Sequence, residues 1–283
     1  MEANGEFRAG VNYLMVLDFM TWISTHQTCA NIGFSMSATI YCAKPSSPEI
    51  TKNNSNFPMV DWQQIDSVFL DLDGTLLDLR FDNFFWTEFI PARYAKQHKL
   101  PAEKAKSDLT ALMQSLQGTL DWYCIDFWSE QLDLEIIVLK KEMRDLIRVR
   151  PSTEEFLSEL SKSRHRVIMA TNAHPETIAL KMEQTQISDR FDRIISSHEI
   201  GYPKEHQQFW NNLAQLEKFD PHRTLFIDDN LSVLRAACDY GIQQLLAICN
   251  PDSTKGVVDT AEFESLESFE MLTAQLCKNT NRD

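Results

Sequence analysis

Ser67-Val68-Phe69-Leu70-Asp71-Leu72-Asp73-Gly74-Thr75 is the stretch that decides how the rest of the chain is read. A mostly apolar run ends in two carboxylates two residues apart. Side chains alternate along a strand, so Asp71 and Asp73 are expected on the same side of a strand end. Gly74 permits a sharp turn, and Thr75 offers a hydroxyl and a helix-start signal. Such a pair has the chemistry to hold a divalent cation, attack phosphorus and move a proton. Acidic turns are common, however, so the pair needs partners further along the chain.

Working outward, strand-like and helix-like stretches alternate. Arg166–Ala170 runs into Thr171-Asn172, Phe191–Ile195 is a weaker strand, Thr224–Ile227 runs into Asp228-Asp229-Asn230, and Gln243–Ile248 is apolar again. Helical stretches are expected near Ser152–Ser163, Pro175–Thr185, Glu205–Leu216 and Leu231–Tyr240. Short buried strands alternating with helices predict an α/β fold, a Rossmann-like doubly wound parallel sheet with helices on both faces. Ligands of such sheets bind at the carboxyl ends of the strands, where the polar clusters lie. One long insertion, about 79–149, is helical in character and rich in aromatics, and its position suits a cap over the strand ends. Most of those aromatics are expected to form the insertion's own core. The core is then 59–78 and 150–283.

Residues 1–58 read differently. They lack sustained periodicity, and Lys44–Asn56 is a Pro/Ser/Asn/Lys stretch of linker character. A disordered extension is expected there, either because Met59 is the natural start or because the segment is a regulatory or targeting tail. The apolar run Val11–Ile23 is broken by Asp18 and is far short of the roughly 20 residues that span a bilayer. Met1–Glu6 carries no positive n-region of a secretory signal.

The 283 residues carry a net charge of −14, nearly all of it beyond residue 58. Nucleic acid and anionic membrane surfaces are thereby poor partners. A small anionic substrate remains compatible if a metal ion neutralises the site locally. The six cysteines show no CxxC spacing, which excludes a zinc-finger signature and a dense disulfide framework. Free thiols and a cytoplasmic location are expected.

Taken singly, Thr171-Asn172 reads as a turn, Lys204 as a solvated loop charge and Asp228-Asp229 as a helix cap. Taken in order with Asp71 and Asp73, they match the four-motif pattern of the haloacid dehalogenase-like (HAD) hydrolases. Further stretches resemble the bacterial GMP/IMP nucleotidases of that superfamily: Asp71–Leu79, Leu120–Cys124, Phe127–Leu132, Thr171–Pro175, Gly201–Glu205, Arg223–Asp229 and Asn250–Asp252. The resemblance spans about 60–252.

It implies two-step phosphoryl transfer from a purine nucleoside monophosphate, first to the enzyme and then to water, with Mg²⁺ as cofactor. Asp71 would be the nucleophile, and Asp73 the general acid and then base, which requires a raised pKa. Lys204 would neutralise the site, and Thr171 with Asn172 would hold the phosphoryl oxygens. The metal would rest on Asp71, the Asp73 backbone carbonyl and Asp229, with Asp228 as second choice. An acid at position 73 argues against a dehalogenase, because a departing halide needs no proton. Leu72 stands where P-type ATPases carry lysine. A phosphosugar phosphatase or mutase remains the alternative enzyme, and a binding protein without turnover the non-enzymatic one. His174 is expected to cap a helix, and Trp122 and Tyr123 are candidates for stacking on a base.

Overall fold

The structure, a computed structural model, describes residues 59–280. The expectations for residues 1–58, with Cys29, Cys42 and the Val11–Ile23 run, lie outside the described residues. Among the described residues no helix is long and apolar enough to cross a membrane.

Six parallel strands form one sheet: β1 (Ser67–Leu70), β2 (Arg166–Thr171), β3 (Arg193–Ser196), β4 (Thr224–Asp228), β5 (Gln244–Ile248) and β6 (Glu264–Leu266), in the order β3-β2-β1-β4-β5-β6. The chain winds outward from β1 to β3, then returns to place β4 on the other side of β1. The topological switch therefore falls between β1 and β4, where such sheets form their ligand crevice. Residue alternation shows that both faces are covered. Val68, Leu70, Leu225 and Ile227 join one hydrophobic cluster, whereas Phe69 and Phe226 join the other. Buried on both faces, these strands read as continuous apolar runs.

The helical insertion between β1 and β2 consists of α1 (Arg80–Phe84), α2 (Ile90–His98), α3 (Ala102–Leu116), α4 (Leu120–Tyr123), α5 (Ile125–Leu132) and α6 (Ile136–Glu142). A π turn, Phe85–Phe89, joins α1 to α2, and the Ile90 amide reaches back to the Phe85 carbonyl. Pro91 accounts for it: without an amide hydrogen, and with a ring that crowds the preceding turn, it widens the helix rather than continuing it. The remaining helices are α7 (Thr153–Ser161), α8 (Pro175–Thr185), α9 (Ser197–Ile200), α10 (Gln207–Leu216), α11 (Leu231–Tyr240) and α12 (Glu270–Thr280).

Two sequence expectations change. Thr75 does not start a helix: helix begins only at Arg80, and the Thr75 hydroxyl is buried without a hydrogen-bond partner. The start is instead organised by Asp78, whose Oδ1 accepts from the amides of Arg80 (3.0 Å) and Ser253 (3.1 Å). The sheet also has a sixth strand beyond the five expected. β6 is only Glu-Ser-Leu, two of its three residues polar, so it has no apolar run to signal it.

Candidate active site

The sheet register sets the geometry. Leu70 pairs with Ile227 on one side and Met169 on the other, and the Asp71 amide donates to the Ile227 carbonyl at 3.0 Å. The ends of β1, β2 and β4 thus bring Asp71, Thr171 and Asp228 side by side. Gly74 (φ 85°) turns the loop beneath Asp229, and a Cβ there would overlap the Asp229 carboxylate. Arg150 secures the same turn, donating to the carbonyls of Gly74 (3.1 Å) and Asn250 (2.7 Å).

Lys204 is 2% exposed, far from the solvated loop charge it resembles in isolation. Its Nζ donates to Asp71 Oδ1 (2.5 Å) and Asp228 Oδ2 (2.6 Å). The Lys204 amide donates to Asn172 Oδ1 (2.9 Å), and Asn172 Nδ2 donates to Glu205 (2.9 Å). The Asn172 side chain is therefore occupied in tethering the lysine loop. Thr171 Oγ1 accepts from the Ala173 amide at 3.0 Å and retains its own hydroxyl proton to donate.

The aspartates differ in what they have left to offer. Both Asp228 oxygens are engaged, by Lys204 and by the Asn230 amide (2.8 Å). Asp229 takes no hydrogen bond from the described residues, and burial beside Asp228 and Asp71 pushes its carboxyl well above the usual range. Burial raises Asp71 to about 6 against the pull of Lys204. Asp71, Asp228 and Asp229 each present a carboxylate oxygen within 4.8 Å of the others.

A second lysine was not anticipated. Lys181, on α8 and 1% exposed, donates to Asp73 Oδ1 (2.5 Å) and to Asp82 Oδ2 (2.6 Å) on α1. Lys140, on α6, donates to the other oxygen of Asp82 at 3.0 Å and lies over the Phe85 ring. Burial raises Asp73 to about 6, with Lys181 opposing. Burial also presses on Asp82, yet Lys140 and Lys181 together hold it down at about 2. Counting Asp82, Lys140 and Lys181 with the expected residues, five carboxylates and three ammonium groups leave two negative charges. With a divalent cation bound, the site is then neutral with all five carboxylates ionised. The oxygen-only donors of Asp71 and Asp229, the free Asp229 carboxylate and that charge fit magnesium.

Above this floor lies a cavity of about 380 Å³, lined below by Asp71, Asp73, Thr171, Asn172, Lys204, Asp228 and Asp229, and above by Trp86, Trp122, Tyr123 and Trp128. Trp128 is buried and packs edge-on against Trp122. The Tyr123 hydroxyl donates to Glu205 at 2.6 Å. His174 caps α8, its Nδ1 accepting from the Glu176 amide at 3.3 Å.

A doubly wound parallel sheet with an acidic, lysine-bridged centre at its switch point, beneath a helical insertion, defines an enzyme that works on anionic substrates from strand-end loops. The chain belongs to the haloacid dehalogenase-like hydrolases: that family's model matches residues 65–239. It is 39% identical over 217 residues to the GMP/IMP nucleotidase YrfG of Escherichia coli K12, covering 77% of this chain and 98% of that protein. Among solved structures it resembles a HAD phosphatase from Thermococcus onnurineus (TM-score 0.61, 18% identity, 75% of this chain and 98% of the other). It also resembles the HAD hydrolase YfnB of Bacillus subtilis bound to magnesium (TM-score 0.55, 17% identity, 75% and 99%). Those two likenesses concern the fold.

Proposed function

We propose that this hydrolase is a Mg²⁺-dependent 5'-nucleotidase that releases phosphate from purine monophosphates, GMP and IMP foremost. The observation that carries the reading is the two-sided cavity: a cationic and acidic floor suited to a phosphate and its metal, facing a roof of indole and phenol rings suited to a flat base. Its volume lies within the roughly 300–1,000 Å³ of small-molecule sites. The 39% identity to a GMP/IMP nucleotidase supports the choice of purine.

In this reading one Asp71 oxygen attacks phosphorus while Lys204 holds the other. The ester bond breaks, its electrons pass to the leaving oxygen, and Asp73 protonates that oxygen. Water then attacks the aspartyl-phosphate, Asp73 takes its proton, and Asp71 departs with inorganic phosphate released. An Asp73 raised to about 6 serves both proton transfers near neutrality. The Thr171 hydroxyl and the Asn172 amide hold the transferring oxygens; loss of one such donor costs roughly 2.7–4 kcal/mol of barrier. Asp71 and Asp229 hold the magnesium with the Asp73 carbonyl, and Asp228 acts behind them, since both its oxygens are occupied. The ion supplies charge neutralisation at the phosphoryl group. The insertion, 79–149, serves as the cap that selects the ester. Cys124, Cys238, Cys249 and Cys277 form no disulfide among the described residues, which fits a cytoplasmic enzyme.

Net phosphate release across a panel of nucleoside monophosphates and sugar phosphates tests the proposal. GMP and IMP should lead in kcat/KM; sugar phosphates ahead by more than about tenfold would overturn the nucleotidase assignment. Conversion of a sugar phosphate without phosphate release would identify a mutase instead.

A further inference from the structure

Beside the cavity, a thiol and two imidazoles converge in a cluster that the phosphate chemistry does not use. Cys124, His174 and His198 each present a ligand atom within 4.8 Å of the others. They come from three separate elements. Cys124 joins α4 to α5 in the insertion, His174 follows β2 at the start of α8, and His198 lies in α9 after β3. The two imidazole rings meet edge to face, with centroids 4.9 Å apart.

The hydrogen bonds around Ser196 fix the state of His198. The Ser196 hydroxyl donates to the Ala173 carbonyl at 2.7 Å, so its oxygen can only accept from the imidazole, whose Nδ1 is 3.4 Å away. The proton therefore sits on Nδ1, and Nε2 carries a bare lone pair. That Nε2 is buried and has no hydrogen-bond partner. A buried acceptor left without a donor is costly, and a Lewis acid offsets that cost as well as a hydrogen would. Burial beside His174 keeps the ring neutral at pH 7, with its pKa pushed down to about 4.

His174 makes only long contacts, 3.3 Å from Nδ1 to the Glu176 amide and 3.5 Å from Nε2 to Asp126. Either nitrogen can exchange its contact for a metal bond. The Asp126 carboxylate, largely exposed on the first turn of α5, supplies a fourth donor, or water does.

We propose that Cys124, His174 and His198 form a second metal site, for a zinc-class divalent cation, which ties the helical insertion to the ends of β2 and β3. One thiolate and two neutral imidazoles with an open fourth position form a zinc donor set, whereas magnesium favours oxygen. The donor chemistry thus sorts two cations between two neighbouring sites. His174 lies two residues after Asn172, and Ser197, next to His198, donates to the Asn172 carbonyl at 3.3 Å, so occupancy would hold the phosphate-side loop against the insertion. The site does not depend on which ester the enzyme hydrolyses.

The test is a titration of the full-length, chelator-stripped, reduced protein with Co²⁺ alone and then Zn²⁺ alone. No phosphate ester is added, and excess Mg²⁺ is present to fill the acidic floor. One equivalent of Co²⁺ should bring up a thiolate-to-cobalt charge-transfer absorption, Zn²⁺ should displace it, and Zn²⁺ should raise Tm. Cys124→Ser should abolish the absorption, and His198→Gln should weaken binding at least tenfold, with circular dichroism confirming that each is folded. Asp71→Asn should leave the absorption intact. The wild-type titration needs no variant: absence of the thiolate band there overturns the proposal. So does its persistence in Cys124→Ser, which would place the ion on another cysteine, or its loss in Asp71→Asn, which would place it on the acidic floor.

Discussion

Two buried lysines flank the loop that follows β1, and each bridges a pair of aspartates. Lys204 lies between Asp71 and Asp228, and Lys181 lies between Asp73 and Asp82. The first triad joins the ends of β1 and β4, whose spacing the sheet register dictates, to the loop between α9 and α10 that carries Lys204. The second crosses from α8 of the core to α1 of the insertion, with Lys140 of α6 closing it. The same chemistry thus does two jobs. On the proposed mechanism the Lys204 triad is fixed relative to the reacting phosphate, while the Lys181 network ties Asp73, the proposed proton carrier, to the position of the insertion. A displacement of the insertion would change the company of Asp73 and leave Asp71 untouched.

The largest effect should come from removing the nucleophile. Asp71→Asn keeps the shape of the Lys204 triad, yet phosphate release at saturating substrate should fall on the order of 10⁴-fold or more. Retained turnover would refute the assignment of Asp71. Lys204→Met should lower kcat roughly 10²–10³-fold, because it withdraws a preorganised positive charge from the phosphoryl site. Its melting temperature should drop most without magnesium, when nothing else offsets the stranded Asp71 and Asp228 carboxylates.

Lys181→Met sharpens the contrast. Stranding the buried Asp73, and leaving Asp82 with Lys140 alone, should cost about 3–5 kcal/mol of stability, measured by denaturant unfolding. Lys181 also lowers the Asp73 pKa, so its removal raises it. More Asp73 stays protonated at alkaline pH, and the basic limb of the kcat profile should move to higher pH. Lys204→Met should not produce that movement. Adding Asp73→Asn to Lys181→Met should recover part of the stability by removing the stranded charge, since Asp82 keeps Lys140.

The difference between the triads also explains what the sequence discloses. Lys204 stands in Gly201-Tyr202-Pro203-Lys204-Glu205, a loop signal whose partners are strand-end acids at a recognisable order, so its place can be read by resemblance. Lys181 stands in Ile178-Ala179-Leu180-Lys181-Met182, where a lysine within an amphipathic helix reads as solvent-facing. Only packing of the insertion on α8 turns that face inward, and the partner acid, Asp82, lies 99 residues away in sequence. Asp82 itself reads as an acid in the first turn of a helix, its commonest place. The parallel strands announce themselves because burial on both faces leaves uninterrupted apolar runs. β6 escapes because, at the sheet edge, it has a single apolar residue, Leu266, after Glu264 and Ser265. Cys124, His174 and His198 come from three segments with no metal-ligand spacing, so only the fold assembles them.

Both triads contribute to the pH dependence of the metal-free protein. Burial raises Asp71 and Asp73 from an ordinary 3.8 to about 6. Between those values the folded chain holds protons that the unfolded chain has lost, so the stability these two groups contribute is fully present below about pH 4 and is lost as pH rises through 6. The melting temperature without metal should drop by roughly 5–10 °C across that interval. Magnesium binds the ionised carboxylates, so its stabilisation should be larger at pH 7 than at pH 5. A magnesium increment independent of pH would mean that the ion sits elsewhere.

The smallest effect tests a hydrogen bond by which the insertion reaches the Lys204 side. The Tyr123 hydroxyl donates to Glu205, which also receives Asn172 Nδ2, and Asn172 in turn holds the Lys204 amide. Tyr123→Phe removes a single link while Asn172 still satisfies Glu205, so the loss should be about 1 kcal/mol. That corresponds to a roughly fivefold rise in KM, with little change in kcat or in its pH profile, because neither Asp71 nor Asp73 loses a partner. A fall in kcat comparable to that of Lys204→Met would mean that the insertion positions the Lys204 triad through Glu205. The two lysine triads would then answer to the same moving part, and the division between a fixed and a coupled side of the site would fail.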